Sequence, residues 1–103
     1  MVKQGEVWLI GLETEGALQE TRVCVVLQPP ELALLPTVIV APMSSTAAAT
    51  PFRVPVTFRA QPGLIVTDQV RAIDKTRLVK RLGKIPATAL AATLTILREM
   101  FGG

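Results

Sequence analysis

The sequence predicts a mainly β fold, a small, strongly curved antiparallel sheet or partly open barrel, completed by one C-terminal α-helix. Two observations carry this. Up to Lys84 the apolar residues come in short runs of strand length, punctuated by proline, glycine and small polar residues. Only after Pro86 do they recur at helical spacing.

The elements follow in order. Residues 6–12 form an apolar run with little polar alternation, so a mostly buried strand is expected. Thr14-Glu15-Gly16 signals a turn. Residues 22–28 are rich in β-branched side chains and stop at Pro29-Pro30. A third strand, 37–41, is expected to stop at Pro42, and the Ser/Thr/Ala stretch 44–51 reads as a loop. Residues 52–58 alternate around Pro55, which suits an edge strand or one that bends. Gln61-Pro62-Gly63 is the expected turn into a strand at 64–73, with another at 78–84 beyond Asp74-Lys75-Thr76. Pro86 suits a first helical position. Leu90, Leu94, Leu97 and Phe101 then share one face, a stripe for core packing or a dimer contact, before Gly102-Gly103 ends the helix.

With 103 residues, half of them hydrophobic, the expectation is one globular domain over 1–103. No apolar run approaches the ~20 residues of a membrane span, and the start shows no leader pattern, so a soluble, cytoplasmic protein is expected. The single cysteine, Cys24, cannot form an internal disulfide, in keeping with a reducing compartment. Its place in Val-Cys-Val-Val-Leu suits a buried small hydrophobe better than a nucleophile.

Charge is unevenly spread. Residues 1–52 hold two basic and five acidic side chains, whereas residues 53–84 hold eight basic ones against Asp68 and Asp74. Such a segment suits attraction of phosphates; it equally suits a solvated strand surface. The chain has no histidine or tyrosine, one tryptophan and three phenylalanines. Imidazole acid–base chemistry is therefore excluded, base-stacking platforms are few, and Trp8 is better suited to the core.

Four blocks, in order, resemble one family. They are Gly5-Glu6-Val7-Trp8-Leu9; Gly16 followed by Thr21-Arg22-Val23-Cys24-Val25-Val26-Leu27; Val38-Ile39-Val40-Ala41-Pro42-Met43-Ser44-Ser45; and Asp68-Gln69-Val70-Arg71-Ala72-Ile73-Asp74 with Arg77-Leu78 and Arg81-Leu82-Gly83-Lys84 after it. Together they resemble the MazF/PemK/Kid toxins of type II toxin–antitoxin systems. The resemblance implies the SH3-like, PemK-type toxin fold, a homodimer and a cognate antitoxin as partner; the lack of a long apolar run adds the expectation of no membrane association. It also implies sequence-selective cleavage of single-stranded mRNA, without metal or cofactor, by attack of the ribose 2′-OH on the adjacent phosphate.

That chemistry needs a base, a donor for the leaving oxygen and positive charge at the phosphorane. By the resemblance, Arg22 matches the catalytic arginine; the alternative is a surface arginine at a strand start. Ser44 stands where threonine is common and Ser45 is a possible substitute, although both are also ordinary loop residues. Asp68 is either a base or a structural residue bonding backbone or Arg71. Gln19, Ser45, Gln69, Arg71, Lys80 and Arg81 are the expected RNA contacts, with ordinary surface roles as the alternative. The chain departs from the pattern at Ala17 after Gly16, in a loop one residue shorter before Arg22, at Val23 for proline, and at Val66 where the Kid branch has an arginine. Two further functions stay open: a CcdB-like gyrase poison that binds protein on the same fold, and a catalytically weak paralogue that binds RNA or antitoxin.

Overall fold

A computed structural model describes residues 2–12 and 20–102. The expected turn at Thr14-Glu15-Gly16 and the candidate RNA contact Gln19 lie outside the described residues. The strands are β1 (Glu6–Leu12), β2 (Glu20–Val26), β3 (Thr37–Ser44), β4 (Arg53–Phe58), β5 (Gln61–Val66), β6 (Arg71–Asp74) and β7 (Leu78–Lys84), followed by α1 (Ala87–Phe101). All pairings are antiparallel, in the order β4-β5-β3-β2-β1-β7, with β6 also on β3. The mainly β fold with a terminal helix is as the sequence predicted.

The apolar runs are continuous because the strands feed two cores. Val7, Val25, Leu27, Ala41, Val54, Val56, Ile65 and Ile85 form one cluster, against which Ala89, Leu90, Ile96 and Leu97 of α1 pack. The alternate positions Ile10, Cys24, Val26, Val38, Val40 and Ile73 form the second, joined by Trp8 and Leu78. A strand buried on both faces has no reason to alternate apolar with polar. Between the extremes of the sheet, Phe58 at the end of β4 meets Gly83 in β7, and the Arg59 guanidinium donates to the Leu82 carbonyl. A Cβ on Gly83 would lie 3.0 Å from the Phe58 ring, and its φ of +156° strains any other residue, so glycine suits this close approach best.

Four local expectations are corrected. First, β3 does not stop at Pro42 but runs on to Ser44. The Ile39 carbonyl accepts from Leu27 N–H at 2.9 Å and so faces β2; alternation turns the Pro42 nitrogen to the other side. There β3 changes partner, from β6 at Val40 to β5 at Met43, so no ladder bond is lost. Second, the β4–β5 turn is Arg59-Ala60, not 61–63, and both residues have positive φ, 52° and 61°. Pro62 and Pro55 then occupy non-hydrogen-bonded sites of the hairpin, where a missing N–H costs the ladder nothing.

Third, the expected strand 64–73 is two strands, broken by a 3-10 turn at Thr67–Gln69. Fourth, Pro86 precedes α1 rather than opening it, and the buried helix face centres on Thr93, which is fully buried. Its hydroxyl donates to the Ala89 carbonyl at 2.8 Å, which satisfies it without an outside partner. Phe101 is 73% exposed and lies off the packed face. Leu90 and Leu97 of the expected stripe do pack on the core, and Ala89, Thr93 and Ile96 complete that face in place of Phe101. Among the described residues, no helix is long and apolar enough to cross a membrane.

Candidate functional site

Arg22 projects from β2 opposite Ile10 of β1 and is exposed. It borders two clefts. The larger, about 570 Å³, is lined by Arg22, Ser44, Ser45, Thr46, Arg53 and Gln69 among others. The smaller, about 270 Å³, lies between Arg22, Gln69 and Arg71, with Cys24 among its lining residues. Arg22 and Gln69 are common to both. The β2–β3 and β3–β6 pairings bring these groups together: Cys24 faces Pro42, and Arg71 faces Val40. Neither Arg22 nor Arg71 has an ion-pair partner among the described residues.

Ser44 ends β3. Its Oγ accepts from the backbone N–H groups of Ala47 at 3.0 Å and Thr46 at 3.2 Å, which rounds the loop over the cleft, and lies 3.4 Å from Thr46 Oγ1, a pair in which either hydroxyl can donate. Ser45, beside it, is exposed on the same wall. Asp68 pairs with Arg53, a partner outside the alternatives of backbone and Arg71 that the sequence offered, and it also takes a backbone hydrogen bond. Arg53 Nε donates to Oδ1 at 3.0 Å and Nη2 to Oδ2 at 3.2 Å. These hydrogen bonds hold the Asp68 carboxyl below its ordinary value and raise the Arg53 guanidinium above its own.

Lys80 and Arg81 line neither cleft. They sit on β7, facing Leu9 and Trp8 of β1. Arg81 Nε donates to Glu6 Oε2 at 2.6 Å. Glu6 also accepts from Lys3 N–H at 2.7 Å and from the Trp8 indole N–H at 3.3 Å. Burial pushes this carboxyl up, but the three donors outweigh burial and leave it below its ordinary value. Cys24 is 2% exposed and burial pushes its thiol up to about 11, as expected of a buried small hydrophobe.

Sequence reading missed Arg53 as a cleft residue. Only the fold shows it: Arg53 pairs across the hairpin with Val66, the position where the Kid branch has an arginine, and Val66 is 3% exposed. A third, more apolar recess of about 320 Å³ adjoins the large cleft and includes Val23, Met43, Phe58, Arg59 and Leu82. The Arg59 guanidinium lies 5.5 Å from the Phe58 ring centroid.

Comparison with known proteins gives a consistent result. A family model described as PemK-like, MazF-like toxin of type II toxin–antitoxin system matches residues 3–101. No curated protein sequence matches the chain. Among solved structures, a MazE–MazF crystal structure (form II) from Deinococcus radiodurans is 24% identical, with 98% of this chain and 95% of that one covered and a TM-score of 0.80. The toxin MazF-mt6 from Mycobacterium tuberculosis is 21% identical, with 94% and 96% covered and a TM-score of 0.77. An endoribonuclease in complex with its cognate antitoxin, from a mycobacterial species, is 15% identical, with 99% and 96% covered and a TM-score of 0.82.

Proposed function

Because the chain belongs to the PemK-like, MazF-like toxins of type II toxin–antitoxin systems, we propose that it is an endoribonuclease that cuts single-stranded RNA at the cleft around Arg22. The carrying observation is an arginine with no carboxylate partner among the described residues, lining one cleft together with Ser44 and Gln69. A guanidinium is a fixed cation whose N–H fork matches two phosphate oxygens. It gains most when the phosphorane carries extra charge, and so stabilises the transition state more than the bound substrate.

In this reading the ribose 2′-oxygen attacks the neighbouring phosphorus as its proton passes to water, and the bond to the 5′-oxygen breaks as that oxygen takes a proton from water, leaving a cyclic phosphate and a 5′-OH. Arg22 grips the non-bridging oxygens, and the Ser44 hydroxyl donates a further hydrogen bond to the phosphate. Ser45 and Gln69 contact the strand on either wall, and Arg71 holds the next phosphate in the smaller cleft. The recess beside Phe58 and Arg59 receives an unstacked base. Asp68, occupied on both oxygens, serves the scaffold and not proton transfer.

We read residues 1–103 as one toxin domain acting in the cytoplasm on mRNA, as a homodimer held in check by an antitoxin. The antitoxin-bound relatives support this, as do the exposed apolar side chains Leu34, Val79 and Phe101, at 94%, 59% and 73%. The test is incubation of purified protein with varied single-stranded RNAs in chelator, with analysis of the ends formed. Cyclic phosphate and 5′-OH ends are expected. Intact RNA throughout would overturn the nuclease reading in favour of a protein-binding poison, and cleavage only with added metal would overturn the mechanism.

A further inference from the structure

One guanidinium ties together three separate pieces of the cleft. Arg53 opens β4, and its side chain is 17% exposed. Its Nε and Nη2 grip both oxygens of Asp68 in the 3-10 turn, while Nη1 donates to the Ala48 carbonyl at 2.8 Å in the loop after β3. That loop is already pinned at its start by the Ser44 hydroxyl. Ser44, Ser45 and Thr46 form one wall of the large cleft, and Gln69, the neighbour of Asp68, belongs to the other. The clasp therefore sets the distance between the two walls.

We propose that Arg53 is a positioning residue that fixes the width and lining of the cleft, and so which RNA sequences it admits. The inference rests on the nuclease reading given above. Two arginines line the cleft with opposite assignments. Arg53 spends its fork on Asp68, which cancels its charge, and so contributes shape; Arg22, without such a partner among the described residues, contributes charge to the substrate. Lysine cannot replace Arg53, because three donors in a planar fork are needed to reach Asp68 and Ala48 together. The ion pair is partly exposed, with Asp68 at 37%, and adds little to global stability. Its loss loosens the loop without unfolding the protein.

The test uses Arg53→Ala, Arg53→Lys, Asp68→Ala and the Arg53→Ala/Asp68→Ala pair in the full chain. Two readouts are taken: amide hydrogen exchange of Thr46 and Ala47, and cleavage of an RNA panel. All four variants are expected to speed exchange at those amides by about tenfold while melting near the wild-type temperature. They are expected to raise KM by about three- to tenfold, change kcat little and narrow the gap between good and poor sequences. The double variant should be no worse than either single one, the mark of residues acting as a unit. A purely electrostatic role predicts the reverse: Arg53→Ala weakens RNA binding and flattens its salt dependence, Asp68→Ala tightens it, and Arg53→Lys restores it. That pattern, or unchanged exchange in Arg53→Ala, overturns the proposal. A wild-type protein that cuts no RNA overturns the substrate assignment, while the exchange result still decides whether the clasp exists.

Discussion

Arg22 and Arg81 flank the same strand. Arg22 lies across from Ile10 in β2, and Arg81 lies across from Trp8 in β7. Arg81 finds the carboxylate of Glu6 at 2.6 Å, within a knot that also takes in Lys3 and Trp8. Arg22 meets no carboxylate among the described residues and opens onto two clefts. In sequence, Arg81 belongs to the dense basic segment and Arg22 to the acidic half. The difference teaches that a cation's availability to a ligand is decided by what the fold places beside it. Local charge density is a poor guide.

The comparison breaks most visibly at Glu6. Replacing it with alanine leaves the Lys3 N–H and the Trp8 indole N–H without their acceptor, at a cost of about 2–3 kcal/mol in unfolding free energy. Urea denaturation measures this. The carboxyl's folded value lies below its ordinary one of 4.5. Its contribution is therefore complete above that pH and is lost as pH falls through the lowered folded value. Wild type should lose stability over this acid range, and Glu6→Ala should lack that part of the loss.

Arg71→Ala tests the smaller cleft. It is expected to raise KM for RNA about tenfold at low salt and to reduce the salt slope of binding by about one, with melting unchanged. Fluorescence anisotropy across a salt series measures it. A uniform weakening with an unaltered slope would place Arg71 outside the phosphate track. The smallest effect belongs to Lys80→Ala on the β7 edge: stability within about 0.5 kcal/mol and RNA affinity within about twofold. A large loss there would return the β7 cations to the RNA surface that the sequence assigned to them.

What was legible in the sequence was local. β-branched runs gave the strands, helical spacing after Pro86 gave α1, and an apolar neighbourhood gave the burial of Cys24. What was not legible depends on partners distant in the chain. Pro42 continues β3 because its missing N–H falls where the neighbouring strand changes. The turn falls on Arg59-Ala60, two non-glycine residues with positive φ that carry none of the usual turn chemistry. The same holds at the site. Arg22, Ser44 and Gln69 came from short motifs and do meet, whereas the Arg53–Asp68 clasp spans 15 positions and the Arg81–Glu6 pair spans 75. No pattern in the chain announces either contact.

The central claim is that Arg22, which has no carboxylate partner among the described residues, acts on RNA while Arg81, paired with Glu6, serves the fold. Cleavage of one single-stranded RNA, in chelator, by wild type, Arg22→Ala and Arg81→Ala measures it most directly. Arg22→Ala is expected to lose at least about 100-fold in kcat/KM, or roughly 2.7 kcal/mol of transition-state stabilisation, with its melting temperature intact. Arg81→Ala is expected to lower the melting temperature modestly and to keep turnover within about threefold of wild type. Full activity in Arg22→Ala, or loss of activity confined to Arg81→Ala, would contradict the account.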